Sequence, residues 1–202
     1  MSELTNSLEV RIEPWADDNY ALLRRLIAPE MMKHLGGPES EDKILARHKR
    51  YLNLHGKGCM FSIELLQELE PVGSVGYWES DWQDETVFEI GWSVLPAFQG
   101  RGIATAAVAA AVARACSEKK HKYIYAFPSF NNPASNAICR KLDFMFNGEN
   151  DFEYPPGNIM RCNVWRQAHN DKVRITPDFP TITEIEYMLP TSQQHKKSCG
   201  KL

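Results

Sequence analysis

Two glycines one residue apart, Gly100 and Gly102, stand in the run Trp92-Ser93-Val94-Leu95-Pro96-Ala97-Phe98-Gln99-Gly100-Arg101-Gly102-Ile103-Ala104-Thr105. The run joins an apolar, strand-like stretch to an Ala-rich, helical one, and small residues at such a junction suit an anion. Without side chains at 100 and 102 a ligand can approach the main chain, so that backbone N–H groups reach phosphate oxygens. The helix beginning near Ile103 adds the positive end of its dipole. No P-loop Lys-Ser/Thr pair accompanies the glycines. A tight strand-to-helix turn would use the same two glycines, so the neighbouring residues must decide between the readings. Upstream, Glu89 lies in the strand-like stretch. Val87, Gly91 and Ser93 alternate onto its face, and Gly91 is expected to leave open space beside the carboxylate.

These residues need elements to hold them. Leu8, Val10 and Ile12 alternate as in a strand, and Asp17 and Asp18 are placed to cap an amphipathic helix through Tyr20, Leu22, Leu23, Leu26 and Ile27. After the Gly36-Gly37-Pro38 break, Glu39 or Ser40 starts a second helix that ends near His55-Gly56. Strand-like runs follow at Cys59 to Leu66, Val72 to Trp78 and Thr86 to Leu95, with the acidic turn Asp81 to Glu85 before the last, as in an antiparallel meander. The glycine loop then opens a helix to about Glu118 and a strand at Tyr123 to Phe127, a β-loop-α-β unit. Pro133 suits the first position of a further helix through Leu142, and strands near Phe144 to Asn147 and Ile159 to Trp165 close the domain. Residues 1–167 read as one domain. Residues 168–202 lack clear periodicity and read as a C-terminal appendage, polar and basic from Gln193 onward and partly flexible.

Composition sets the class. A chain of 202 residues with 43% hydrophobic residues can bury one sizeable core. Its formal charge of −3 and dispersed Lys and Arg residues argue against nucleic acid as a main partner. Cys59, Cys116, Cys139, Cys162 and Cys199 are scattered singly, with no metal-ligand spacing, so no metal site is expected and a reducing, cytoplasmic setting is. No stretch approaches a membrane span, and the N-terminus has acidic and polar residues where a signal peptide is basic and then apolar.

Gln99-x-x-Gly102-x-Ala104 after an apolar strand resembles the acetyl-CoA signature Q/R-x-x-G-x-G/A of the GNAT superfamily of N-acyltransferases. A second block, Asn132-Pro133-Ala134-Ser135-Asn136-Ala137-Ile138-Cys139-Arg140-Lys141-Leu142-Asp143-Phe144, is similar to the family's N-x-x-S/A…K-L-G-F helix and strand. Within the family, the segment from Phe88 to Ala104 resembles the branch of ribosomal-protein N-terminal acetyltransferases and small-amine acetyltransferases. The resemblance covers roughly residues 8 to 167. It implies an α/β (α+β) GNAT fold, with a mostly antiparallel, mixed and twisted sheet of about seven strands flanked by about four helices.

The resemblance also implies roles. Acetyl-CoA would be the cosubstrate, its pantetheine arm pairing with the main chain of Trp92, Ser93 and Val94. Its pyrophosphate would lie against Gln99, Gly100, Arg101, Gly102, Ile103, Ala104 and Thr105, with Arg101 as a phosphate partner and the Thr105 hydroxyl as a donor. Asn132 would hold the pantetheine arm while capping the helix after it. Transfer to an amine needs a neutral nucleophile and a polarised thioester, and Glu89 matches the family's strand position for a general base. The usual acid, a Tyr seven residues after the Asn, is replaced by Cys139, which leaves the Ser135 hydroxyl to hydrogen-bond the sulfur. Asp143 stands where the family has Gly, in a position that asks for a left-handed backbone. Trp78, Trp82, Trp92, Tyr123, Tyr125, Phe127 and Phe130 are either acceptor-pocket walls or core.

Two functions remain distinct. One is an N-acetyltransferase moving an acetyl group directly, in a ternary complex, to a primary amine of a small molecule or a protein N-terminus. The family's acceptor cleft would then be flanked by Met31, Met32, His34 and the 81–85 turn. The other is a non-catalytic acyl-CoA-binding sensor that kept the loop and lost the chemistry. A homodimer is compatible with either.

Overall fold

The computed structural model describes residues 9–32, 39–153 and 157–168. β1 (Val10–Pro14) leads through a 3-10 turn at Asp17–Asn19 into α1 (Tyr20–Leu26), and α2 (Glu41–Leu52) follows. β2 (Gly58–Leu65), β3 (Gly73–Trp82) and β4 (Glu85–Val94) form the meander. α3 (Ile103–Glu118), β5 (Tyr123–Ala126), α4 (Pro133–Lys141), β6 (Met145–Glu153) and β7 (Ile159–Ala168) complete the described chain. The seven strands form one sheet in the order β1-β2-β3-β4-β5-β7-β6. Every adjacent pair is antiparallel except β4 and β5, which are parallel because α3 carries the chain back across the sheet. The expected mixed, mostly antiparallel sheet with four helices is the observed architecture.

Alternation along the strands sends two residue sets to opposite faces. On one face Val10, Ile63, Val75, Tyr77, Phe88, Ile90 and Ile124 form the main core with the buried side of α3. The buried side of that helix combines Ala106, Ala107, Ala109, Ala111 and Ala115 with Ile103, Thr105, Val108 and Val112, and the alanines let its axis lie close to the sheet without losing helix propensity. On the other face α1 lays Leu22, Leu23 and Leu26 against Trp15, Met60 and Leu95. Each fully buried Leu, Ile or Phe contributes about 1.5–3 kcal/mol.

Several boundaries differ from the sequence expectation. Asp17 and Asp18 sit inside the 3-10 turn, and it is Asn19 whose Oδ1 accepts the Ala16 N–H at 2.9 Å. α2 stops at Leu52, and His55 and Gly56 take left-handed conformations in a separate turn. β3 runs on to Trp82, because Gln83 and Asp84 both adopt positive φ and close a two-residue hairpin between Trp82 and Glu85. β6 extends to Glu153 although its sequence is polar, since it is an edge strand exposed along most of its length. Asp143 does take the left-handed conformation, φ 58. It ends α4 with Phe144 N–H bonded to the Cys139 carbonyl and Asp143 N–H to the Arg140 carbonyl, a Schellman closure. The Gly36-Gly37-Pro38 break, His34 and the appendage beyond Ala168 lie outside the described residues.

Candidate active site

β4 and β5 pair only at Phe88 with Ile124 and Glu89 with Tyr125, whereas β3 stays paired with β4 as far as Val94. From Ile90 onward the two parallel strands part. One edge of β4 is satisfied by β3, and the other, at Trp92, Ser93 and Val94, faces the gap without a strand partner. An unpaired edge inside a sheet accepts an extended amide chain as an added strand.

At the end of that edge lies the glycine loop. Gly100 and Gly102 have φ of 75 and 81, in the left-handed region that favours glycine. Gly102 caps α3, whose first main-chain bond runs from Ala106 N–H to the Gly102 carbonyl at 3.0 Å. None of the N–H groups from Gly100 to Thr105 meets a main-chain acceptor among the described residues. Free donors at a helix start form an anion cradle. A Cβ at Gly100 would touch nothing within 4 Å, so the space beside the loop is open. The Gln99 side chain turns inward, donating to the Val94 carbonyl at 2.8 Å, which ties the loop to the strand. Arg101 is exposed, with its guanidinium 5.7 Å from the Phe98 ring, and it is free to meet a phosphate. Thr105 is only 4% exposed, which places it among the buried residues of α3 rather than on the open side of the loop, contrary to the hydroxyl-donor role expected of it.

α4 begins across the gap. Asn132 Oδ1 accepts the Ser135 N–H at 3.1 Å, and Pro133 fills the first helical position. Capping uses the carbonyl end of the Asn132 amide and leaves its NH₂ for a ligand. Ser135 is half-buried, and its hydroxyl makes no hydrogen bond among the described residues. Cys139, one turn on, packs into the main core, and burial pushes its thiol up to about 12. Such a thiol stays protonated but is sealed from the gap.

Glu89 lies where β4 and β5 begin to part, and it is half-buried. Burial raises its carboxyl above the usual range, opposed by hydrogen bonds from Ser80 and Trp78 that favour the charged form. The open space expected beside it is filled: Trp78 is its register partner on β3, and a Cβ at Gly91 would lie 2.8 Å from the edge of the Trp78 indole. Glycine at 91 makes room for that ring. Packed rings of Trp82, Tyr125, Phe127 and Phe152, stacked in the Trp82–Phe152 and Tyr125–Phe127 pairs and tilted in the others, continue the wall on the Glu89 face. Trp92 alternates to the other face and packs on the α3 core, and Phe130 is 53% exposed, so neither belongs to the wall. A cavity of about 320 Å³ between Glu85 and Tyr123 opens at the opposite end of β4 from the glycine loop, away from this chemistry.

Residues 9–145, well over half of the chain, match the family described as "Acetyltransferase (GNAT) domain". The chain belongs to the GNAT acetyltransferase family. It is thereby an acetyl-CoA-dependent N-acetyltransferase. Among solved structures its fold is similar to spermidine N-acetyltransferase from Vibrio cholerae, in complex with CoA and spermine. The TM-score is 0.65 and the identity 15%, over 79% of this chain and 95% of that one. It is equally similar to RimL, a ribosomal L7/L12 α-N-protein acetyltransferase in complex with coenzyme A, with TM-score 0.65 and 18% identity over 82% and 96%. A GNAT-family acetyltransferase from Bacillus anthracis gives TM-score 0.64 and 20% identity over 82% and 98%. No curated protein matches the chain by sequence. Among the described residues no helix is long and apolar enough to cross a membrane.

Proposed function

We propose that the chain transfers the acetyl group of acetyl-CoA directly to a primary amine, of a small molecule or of a protein N-terminus, in a ternary complex. Glu89 is the general base and Ser135 the partner of the leaving sulfur. The observation that carries this reading is a half-buried carboxylate at the point where β4 and β5 part, from which an unpaired strand edge leads to a helix start rich in free N–H groups.

The pyrophosphate would rest on the N–H groups of Gly100 to Thr105, with Arg101 beside it. The pantetheine amides would pair with the main chain of Trp92 to Val94 and with the Asn132 NH₂. This arrangement brings the thioester to Glu89 and Ser135. The acceptor arrives as an ammonium along the aromatic wall, and Glu89 takes one proton from it. Its lone pair attacks the thioester carbon, the C–N bond forms, and collapse of the tetrahedral adduct breaks the C–S bond. The thiolate leaves hydrogen-bonded to the Ser135 hydroxyl and takes up the second amine proton. Much of the rate comes from orientation, because the Ser135 hydroxyl has no hydrogen-bonded base among the described residues to activate it for an acyl-enzyme. A polyamine and a protein N-terminus, the acceptors named for the two neighbours above, are both primary amines.

The test is thiol release from acetyl-CoA across small amines, polyamines, aminoglycosides and peptides with free N-termini, alongside calorimetric acetyl-CoA binding. Acceptor-dependent release supports the transferase and names its substrate class. Tight binding without release for any acceptor would favour the sensor instead.

A further inference from the structure

Asn136 is 3% exposed and uses its whole amide. Its Nδ2 donates to the Ser129 carbonyl at 2.9 Å and to the Asn132 carbonyl at 2.8 Å. Its Oδ1 accepts from Asn163 Nδ2 at 2.7 Å and from the Trp165 indole N–H at 2.8 Å. Two donors and two lone pairs are all that an amide offers. The four bonds join the 129–132 turn after β5, the first turn of α4, and β7. Main-chain bonds from Phe130 N–H to the Arg161 carbonyl and from Asn163 N–H to the Pro128 carbonyl already pair the turn with β7, and the Asn136 amide adds the side-chain link from α4 to both. Because β7 is the strand paired with β5, the bonds tie the start of α4 to the far side of the gap.

We infer that Asn136 is a positioning residue for acetyl transfer, fixing Asn132 and Ser135 at a set distance from the free edge of β4. The inference rests on the reading that acetyl-CoA lies in this gap. Asn136 touches no ligand itself, since its amide is fully consumed within the protein. It acts by holding the Asn132 main chain, and through it the cap bond from Ser135 N–H to Asn132 Oδ1, so that the Asn132 NH₂ and the Ser135 hydroxyl stay turned toward the gap.

Two features distinguish this clamp from ordinary packing. Asn163, which supplies one of the bonds, keeps its own Oδ1 buried without a donor. An unpaired buried acceptor costs stability that apolar side chains would not lose, so the network is not the most stable filling of this space. Trp165 is held from two sides as well, by Asn136 at its N–H and by the Arg140 guanidinium 5.9 Å from its ring. The fully bonded Asn136 amide specifies one geometry, which reaction of a thioester with an amine requires.

Three variants of the full chain test the inference: Asn136→Leu, Trp165→Phe, which removes one donor while keeping a ring, and Val10→Ala on the outermost strand as a control of similar stability loss. Acetyl-CoA Kd is measured by calorimetry, kcat and KM by thiol release, and folding by Tm. Asn136→Leu is expected to raise Kd and the acetyl-CoA KM about tenfold and to lower kcat about tenfold, and Trp165→Phe to move each about threefold in the same direction. Val10→Ala should lower Tm and leave Kd, KM and kcat near wild type. If Asn136→Leu loses Tm but binds and turns over acetyl-CoA as the control does, the clamp is only structural and the inference fails. If Asn136→Leu does not fold, Trp165→Phe decides by the same readouts. A wild-type protein that does not bind acetyl-CoA would overturn the reading of the gap itself, which separates the two failures.

Discussion

Replacing Glu89 by Gln removes the proposed base while keeping its shape and the hydrogen bonds with Ser80 and Trp78. In the proposed site the cradle at Gly100 to Thr105 and the strand edge at Trp92 to Val94 would present main chain to the cofactor, so acetyl-CoA Kd should stay within about twofold of wild type. The loss then falls on kcat, and its size depends on the acceptor. Losing a general base costs about 10² to 10⁴ in rate. At pH 7.5 an α-amine with pKa about 8 is roughly one quarter neutral in solution, whereas an alkyl amine with pKa about 10.4 is neutral in roughly one molecule in 800. A protein N-terminus should therefore lose about 10² in kcat, and a lysine-like or polyamine acceptor about 10³ or more. For the alkyl amine, the rate of the variant should climb about tenfold per pH unit up to the acceptor's own pKa, while wild type shows an acid limb set by Glu89 above the usual carboxylate range. The assay is initial thiol release at saturating acceptor from pH 6 to 10. A Gln variant within threefold of wild type at pH 7.5, with both substrates saturating, would refute Glu89 as the base. The same substitution has a stability signature. Because burial raises the folded-state pKa above the unfolded one, the contribution of the neutral carboxyl is fully present below the unfolded pKa and is lost as pH rises through the folded value. Glu89→Gln should accordingly raise Tm at pH 8 and leave it nearly unchanged near pH 4.

Three other substitutions probe separate parts of the site and fold. Cys139→Ala, which truncates a thiol buried in the main core, should keep kcat within about threefold and lose about 1 kcal/mol of stability by thermal denaturation, whereas Ser135→Ala, which removes the proposed partner of the leaving sulfur, should lower kcat about tenfold. Equal losses in the two would contradict that assignment. Gly100→Ala has no protein atom to strike but places an L residue at φ 75, so it should cost about 1–2 kcal/mol of stability and raise acetyl-CoA Kd at least fivefold in calorimetry. An unchanged Kd would remove this loop from the pyrophosphate site. Gly76→Ala is expected to lose about 3 kcal/mol or more, measured by urea denaturation, since its Cβ would fall 2.7 Å from the Cys59 carbonyl oxygen and on the Met60 sulfur.

The sequence by itself determined the order of strands and helices, the glycine loop at the β4 to α3 junction and the family. Local signals carry all three: period-two alternation in β2, β3 and β4, an Ala-rich helix after Gly102, and a Pro at the first position of α4. Legibility failed where no local signal exists. β6 is polar because it is an exposed edge, so nothing in its composition marks a strand beyond Asn147. The aromatic residues on strands could not be sorted, because a one-residue difference in register decides the face: Trp78 reaches Glu89, and Trp92 goes to the α3 core. Only the tertiary structure decided the gap between β4 and β5. It arises because β5 pairs with just two residues of β4 before β7 draws it aside, a contest between neighbours distant in sequence. The four bonds of Asn136 belong to the same category. They converge from positions 129, 132, 163 and 165, and an amide oxygen satisfied by partners 27 and 29 residues away leaves no periodic trace in the chain.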